Sequence, residues 1–125
     1  MEDSSCKTPR WRQLKSLLNN LGPKQFVEAV NTVKNPVIID VRTANEFQQG
    51  HIANAINIDF LAEDLWEKIE TYDPKQTFFV YCRSGRRSIR VCTLMRNGGF
   101  DNNRVFNLDG GLVAWREQIG EKSIV

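Results

Sequence analysis

A chain of 125 residues is long enough for one domain and too short for two of ordinary size, and its 41% hydrophobic, 26% charged and 10% aromatic residues exclude a disordered polymer. A net charge of +2 gives no ground for binding nucleic acid or a membrane surface, and no run approaches the ~20 apolar residues of a membrane span. Met1 to Lys7 has no apolar stretch of a secretory signal, and cysteines at 6, 82 and 92 form neither a CxxC pair nor a metal-ligand cluster, so a reducing cytoplasm is expected, with no disulfide framework.

Trp11, Leu14, Leu18 and Leu21 recur at roughly helical spacing opposite Arg12, Lys15 and Asn19. Residues 1–21 are therefore expected as a helical extension on the edge of a domain spanning 22–120, with 121–125 as a tail. Gly22-Pro23 stops that segment and supplies Pro23 as the first residue of a helix carrying Phe26, Val27 and Val30. Val37 to Val41 is a β-branched run that predicts a buried strand. Thr43 and Glu46 have capping-box spacing, so a short helix is expected from there to Gly50. Ala55 to Ile58 predicts a second strand, and Leu61, Leu65 and Ile69 share a helical face ended by Asp73-Pro74.

Thr77 to Tyr81 is the most apolar strand candidate, with Cys82 at its C-terminal end. Ser88, Val91, Cys92 and Met95 mark a helical face closed by Gly98-Gly99; Arg104 to Leu108 is a last strand; Gly110-Gly111 leads into a helix with Leu112, Trp115 and Ile119 inward. Strands alternating with helices predict an α/β fold with a mainly parallel sheet covered on both faces, whose ligand site lies beyond the strands' carboxyl ends. Cys82 is at such an end.

The segment Cys82-Arg83-Ser84-Gly85-Arg86-Arg87-Ser88 has three properties suited to a reactive thiol. A strand-to-helix turn offers free backbone N–H groups and a helix dipole that favour an anion. Three arginines within five residues add positive potential for a thiolate and an anionic substrate. Gly85 permits the curvature that turns successive amides inward. The competing reading is a buried structural cysteine followed by a solvated basic turn, since free cysteine often behaves as a small hydrophobe.

The wider pattern resembles the rhodanese (thiosulfate sulfurtransferase) superfamily. Ile39-Asp40-Val41-Arg42, Glu46-Phe47, Gly50-His51-Ile52 and Ala55-Ile56-Asn57-Ile58 are similar to its first signature, Cys82 to Ser88 to its active-site loop, and Asn107-Leu108-Asp109-Gly110-Gly111 with Ala114-Trp115 to its C-terminal signature. Asn54 departs from the glycine common in the family at that turn. The resemblance implies a rhodanese-like fold with a five-stranded, mainly parallel sheet and helices on both faces. It also implies a reaction: the Cys82 thiolate takes the sulfane sulfur of an anionic donor such as thiosulfate, sulfite leaves, and a thiophilic acceptor (cyanide, a thiol or a protein) removes the sulfur from the persulfide. No metal or organic cofactor is implied. The basic loop favours thiosulfate over mercaptopyruvate, whose users carry a less basic loop.

Arg83, Ser84, Gly85, Arg86, Arg87 and Ser88 are the candidate substrate-binding residues, with Arg83 and Arg86 steering the donor. Arg87 can instead tie the loop to Glu46 or Asp40. Asp40 and Arg42 are possible borders of the site, although in the family this pair is architectural. His51, the one histidine, invites a Cys–His dyad, but the family uses that position structurally. Cys92 is read as core and Cys6 as adventitious. Two other readings remain: a phosphatase or arsenate reductase using the same kind of loop, and a non-enzymatic rhodanese module or sulfur carrier. The phosphatase loop has Cys, five residues and then Arg. Here Arg87 arrives one residue early, and Ser88 holds the sixth position after Cys82.

Overall fold

The computed structural model describes residues 9–125. Six α-helices and five strands alternate as α1 (Arg10–Lys15), β1 (Asn19–Leu21), α2 (Pro23–Thr32), β2 (Pro36–Asp40), α3 (Ala44–Gln49), β3 (Ile56–Asn57), α4 (Leu65–Glu70), β4 (Thr77–Tyr81), α5 (Arg86–Asn97), β5 (Val105–Leu108) and α6 (Gly111–Gln118). The sheet order is β1-β5-β4-β2-β3, and every pairing is parallel.

β4 is the central strand because its side chains are apolar on both faces. Phe78, Phe79, Val80 and Tyr81 are all fully buried, and burying one such side chain contributes about 1.5–3 kcal/mol. Strand alternation splits them between two cores. Phe78, Val80 and Cys82 join Val37, Ile39 and Val41 under Leu65 and Ile69 of α4 and Val91, Cys92 and Met95 of α5. Phe79 and Tyr81 join Ile38 and Leu108 under Phe26 of α2 and Leu112 and Trp115 of α6.

The local signals act through identifiable bonds. Pro23 opens α2, where Gln25 Oε1 accepts the Gly22 N–H at 3.2 Å. Thr43 Oγ1 accepts the Glu46 N–H at 3.2 Å while Glu46 Oε1 accepts the Thr43 N–H at 3.0 Å, and α3 ends at Gly50. Asn54 takes φ 69°, the left-handed conformation that asparagine tolerates and glycine favours, so the departure from the family pattern leaves the turn intact.

Two expectations need correction. The helix expected through residue 21 stops at Lys15, and Asn19–Leu21 forms an edge strand beside β5. Asn20 Nδ2 donates to the carbonyls of Lys15 (2.9 Å) and Leu18 (3.2 Å), the kind of side-chain competition that ends a helix. Leu18 and Leu21 therefore pack in different cores. Leu61 is not on an inward helical face; it is 75% exposed, ahead of the start of α4. Within residues 121–125, Ile124 bridges Ile52, and His51 and Val125 exchange backbone hydrogen bonds of 3.0 and 2.9 Å. Cys6 lies outside the described residues.

Candidate active site

Cys82 leaves the end of β4 and its sulfur is buried, with the residue 1% exposed. Gly85, at φ 102°, turns the chain into α5, a twelve-residue helix whose positive end therefore faces the sulfur. The Gly85 N–H donates to Sγ at 3.1 Å and the Ser88 N–H at 3.4 Å. The Cys82 thiol lies 3.5 Å from Ser88 Oγ, as donor to it. Ser88 Oγ in turn donates to Asn107 Oδ1 at 2.6 Å, and Asn107 Nδ2 donates to Asn20 Oδ1 at 3.0 Å. A chain of polar groups thus runs from the sulfur to the edge strand.

The loop is braced from behind by the start of α6. The N–H groups of Leu112 and Val113 donate to the carbonyls of Cys82 (2.9 Å) and Arg83 (3.0 Å). Gly111 makes this approach possible: a Cβ there would stand 2.5 Å from the Arg83 carbonyl oxygen and 2.7 Å from that of Cys82. The Gly-Gly pair of the C-terminal signature is therefore a contact surface for the cysteine loop.

The three arginines are held differently. Arg87 pairs with Glu46 through two bonds of 3.0 and 3.3 Å, tying the loop to α3. The Arg87 guanidinium, working against burial and with help from Thr43, holds the Glu46 carboxyl down at about 2. The bond to Glu46 likewise raises Arg87. Arg83, Ser84 and Arg86 are exposed. Ser84, Gly85 and Arg86 line a cleft of about 340 Å³ together with Trp11, Lys15 and Asn107. Asn107, Asn20, Trp11 and Lys15 were not singled out from sequence as site residues. A polar asparagine inside an otherwise apolar strand was the available signal for Asn107; the contacts that bring Trp11 to Arg86, Asn20 to Asn107 and Lys15 to Asp109 cross 75, 87 and 94 residues and leave no local trace.

Asp40 and Arg42 do not reach the sulfur. Alternation along β2 puts Asp40 on the face of Ile38 and Tyr81, opposite Cys82. Arg42 Nε bonds both Asp40 oxygens at 3.0 and 3.1 Å, while Nη2 bonds Asp40 Oδ2 at 2.7 Å and the Gly50 carbonyl at 2.6 Å. Burial opposes the Arg42 charge, but the hydrogen bonds and charge of Asp40 more than compensate, and the Arg42 guanidinium is held above its ordinary value. Burial and then Asp40 push the Tyr81 phenol well above its usual range, and its oxygen accepts the Ile52 N–H at 3.0 Å. His51 is stacked on Phe47 with centroids 3.7 Å apart, its Nδ1 2.9 Å from the Phe47 carbonyl, and it makes no bond to Cys82. Among the described residues no group of three or more histidines, cysteines or acids is placed to hold a metal, and no helix is long and apolar enough to cross a membrane.

Residues 13–118 match the rhodanese-like domain family, and the chain belongs to it. It is 33% identical to the thiosulfate sulfurtransferase GlpE of Shewanella oneidensis, over 82% of this chain and 96% of that protein. A protein of Allochromatium vinosum named sulfurtransferase is 26% identical over 79% of this chain and 89% of its own length. The rhodanese-like domain protein of Staphylococcus aureus, at 23% identity, superposes with a TM-score of 0.71 over 86% of this chain and 97% of that one, which shows the shared fold.

Proposed function

We propose that this protein is a sulfurtransferase that carries a sulfane sulfur on Cys82. The observation that carries the reading is the pair of amides, Gly85 and Ser88, at 3.1 and 3.4 Å from Sγ under the N-terminus of α5. Such donors stabilise a thiolate, and equally a persulfide whose charge lies one atom further out. The names of the relatives support the same class.

The donor is thiosulfate or a similar small anion. The Cys82 thiolate attacks its sulfane sulfur, a new S–S bond forms, and the old S–S bond breaks with its electron pair leaving on sulfite. A thiophilic acceptor, such as cyanide, a thiol or a protein thiolate, then attacks the outer sulfur and the Cys82 thiolate returns as leaving group. The two half-reactions balance without an external oxidant or reductant. Arg86 and Arg83, exposed and bonded to no carboxylate among the described residues, hold the sulfonate end of the donor. Arg87 is structural, as are Asp40 and Arg42. A reducing compartment suits a free thiol of this kind.

Phosphate chemistry is disfavoured by the same geometry. The arginine that would close on an oxyanion is one residue early and is engaged by Glu46. The test is a thiosulfate:cyanide assay run beside aryl phosphate hydrolysis. Thiocyanate should form and no phosphate should be released; Arg86→Ala should raise KM for thiosulfate with little change in folding stability. Efficient aryl phosphate hydrolysis through Cys82 without thiocyanate would replace this reading with the phosphatase one.

A further inference from the structure

Arg86 and Arg87 are adjacent in sequence but differ in what holds them. Glu46 neutralises Arg87. The Arg86 side chain has no hydrogen bond or ion pair to a described residue; its guanidinium carbon instead lies 4.7 Å from the centroid of the Trp11 indole. A ring face orients a guanidinium without cancelling its charge, which a carboxylate does not do. Arg12 approaches the same ring at 5.2 Å and adds to the positive field.

The indole is itself held in place. It belongs to α1, whose Lys15 ammonium pairs with Asp109, the residue before the Gly-Gly brace of the cysteine loop. Asn20, just after α1, takes the Asn107 Nδ2–H while its own Nδ2 donates to the Lys15 carbonyl. Trp11 and Lys15 thereby form one side of the cleft whose other side is Ser84, Gly85 and Arg86. The match to the rhodanese-like domain family begins at residue 13, so Trp11 lies outside it.

We propose that Trp11 is a positioning residue for sulfur transfer: its indole face holds Arg86 oriented and un-neutralised at the cleft beside Cys82, so that α1 acts as part of the donor site. This rests on the sulfurtransferase reading. The contact acts on donor capture and not on the bond-breaking step, so it should appear in KM and leave kcat alone.

The experiment compares the full chain with Trp11→Ala, Trp11→Phe, Arg86→Ala and the double variant Trp11→Ala/Arg86→Ala, using thiosulfate and cyanide at low ionic strength. Trp11→Ala should raise KM for thiosulfate by about two- to fivefold, the factor corresponding to an exposed cation–π contact, with kcat unchanged. Trp11→Phe should restore most of the loss, and the double variant should be no worse than Arg86→Ala. Independently of turnover, titrating sulfite into Cys82→Ser should change tryptophan emission, and adding Trp11→Phe should remove that change. An unchanged KM in Trp11→Ala, a loss confined to kcat, or fully additive effects of the two substitutions would overturn the proposal. Should Trp11→Ala unseat α1, seen as a lowered Tm, Trp11→Phe and the emission titration decide. Absence of any sulfur transfer in the unsubstituted protein would refute the parent reading, whereas active protein with no Trp11 signature and no KM effect refutes this one alone.

Discussion

Cys82 and Cys92 are ten residues apart, equally buried at 1% exposure, and members of the same core cluster. One ends a strand and receives two amide N–H bonds beneath a helix N-terminus. The other sits within α5, where burial first and the nearby Cys82 second push its thiol far above the usual range, so that it stays protonated. Burial alone therefore does not distinguish the two sulfurs. What separates the two is whether backbone donors are aimed at the sulfur, and that follows from the strand-to-helix turn at Gly85.

The largest expected effect comes from removing each sulfur in turn. Cys82→Ser should lower thiosulfate:cyanide turnover on the order of a thousandfold or more, while Cys92→Ser should keep it within a few-fold. Alkylation of the unsubstituted protein by iodoacetamide should label Cys82 well before Cys92. Comparable labelling of both would remove the distinction.

A second substitution disturbs the surroundings of Cys82 and leaves those of Cys92 alone. In Gly111→Ala the new Cβ would press on the Arg83 and Cys82 carbonyls, at a residue already at φ 61°. A loss of about 2–4 kcal/mol is expected from strain and displacement, measured by denaturant unfolding. Turnover should fall at temperatures where the variant remains folded, because the loop no longer holds its amides in place. Unaltered stability would mean that the α6 brace yields easily and contributes little.

The smallest effect concerns the Arg87–Glu46 tie. The folded carboxyl, at about 2, lies below its unfolded value of roughly 4.3. Its contribution is therefore complete above that unfolded value and is lost as pH falls toward 2. Since both side chains are about 30% exposed, solvent screening limits the contribution to about 1 kcal/mol. The difference in stability between the unsubstituted protein and Glu46→Gln should be present at neutral pH and shrink through that acid window. A difference that stays constant with pH would assign the effect of the substitution to packing.

Much of the sheet was legible because its signals are local. The β-branched run before Arg42, the apolar stretch before Cys82 and the Thr43–Glu46 cap are each complete within a few residues, and they fold as β2, β4 and the start of α3. β1 was hidden for the opposite reason. Asn19-Asn20-Leu21 has no strand-like composition, and its pairing with β5 crosses more than eighty residues. The cleft has the same division. The cysteine loop reads as one continuous segment, whereas Trp11 meets Arg86, and Lys15 meets Asp109, only through the tertiary fold. Asp40 illustrates a finer point: its position at a strand end leaves both a site border and an architectural role open, and β2 and β4 pair so that it and Cys82 project from opposite faces.

The central claim is that Cys82 is the sulfur carrier, and the mass of the protein after mixing with thiosulfate in the absence of acceptor tests it most directly. The unsubstituted protein and Cys92→Ser should each gain one sulfur atom, localised by peptide mapping to the segment bearing Cys82 and removed on adding cyanide. Cys82→Ser should gain none. A sulfur adduct retained in Cys82→Ser, or found on Cys92 in the unsubstituted protein, would contradict the account.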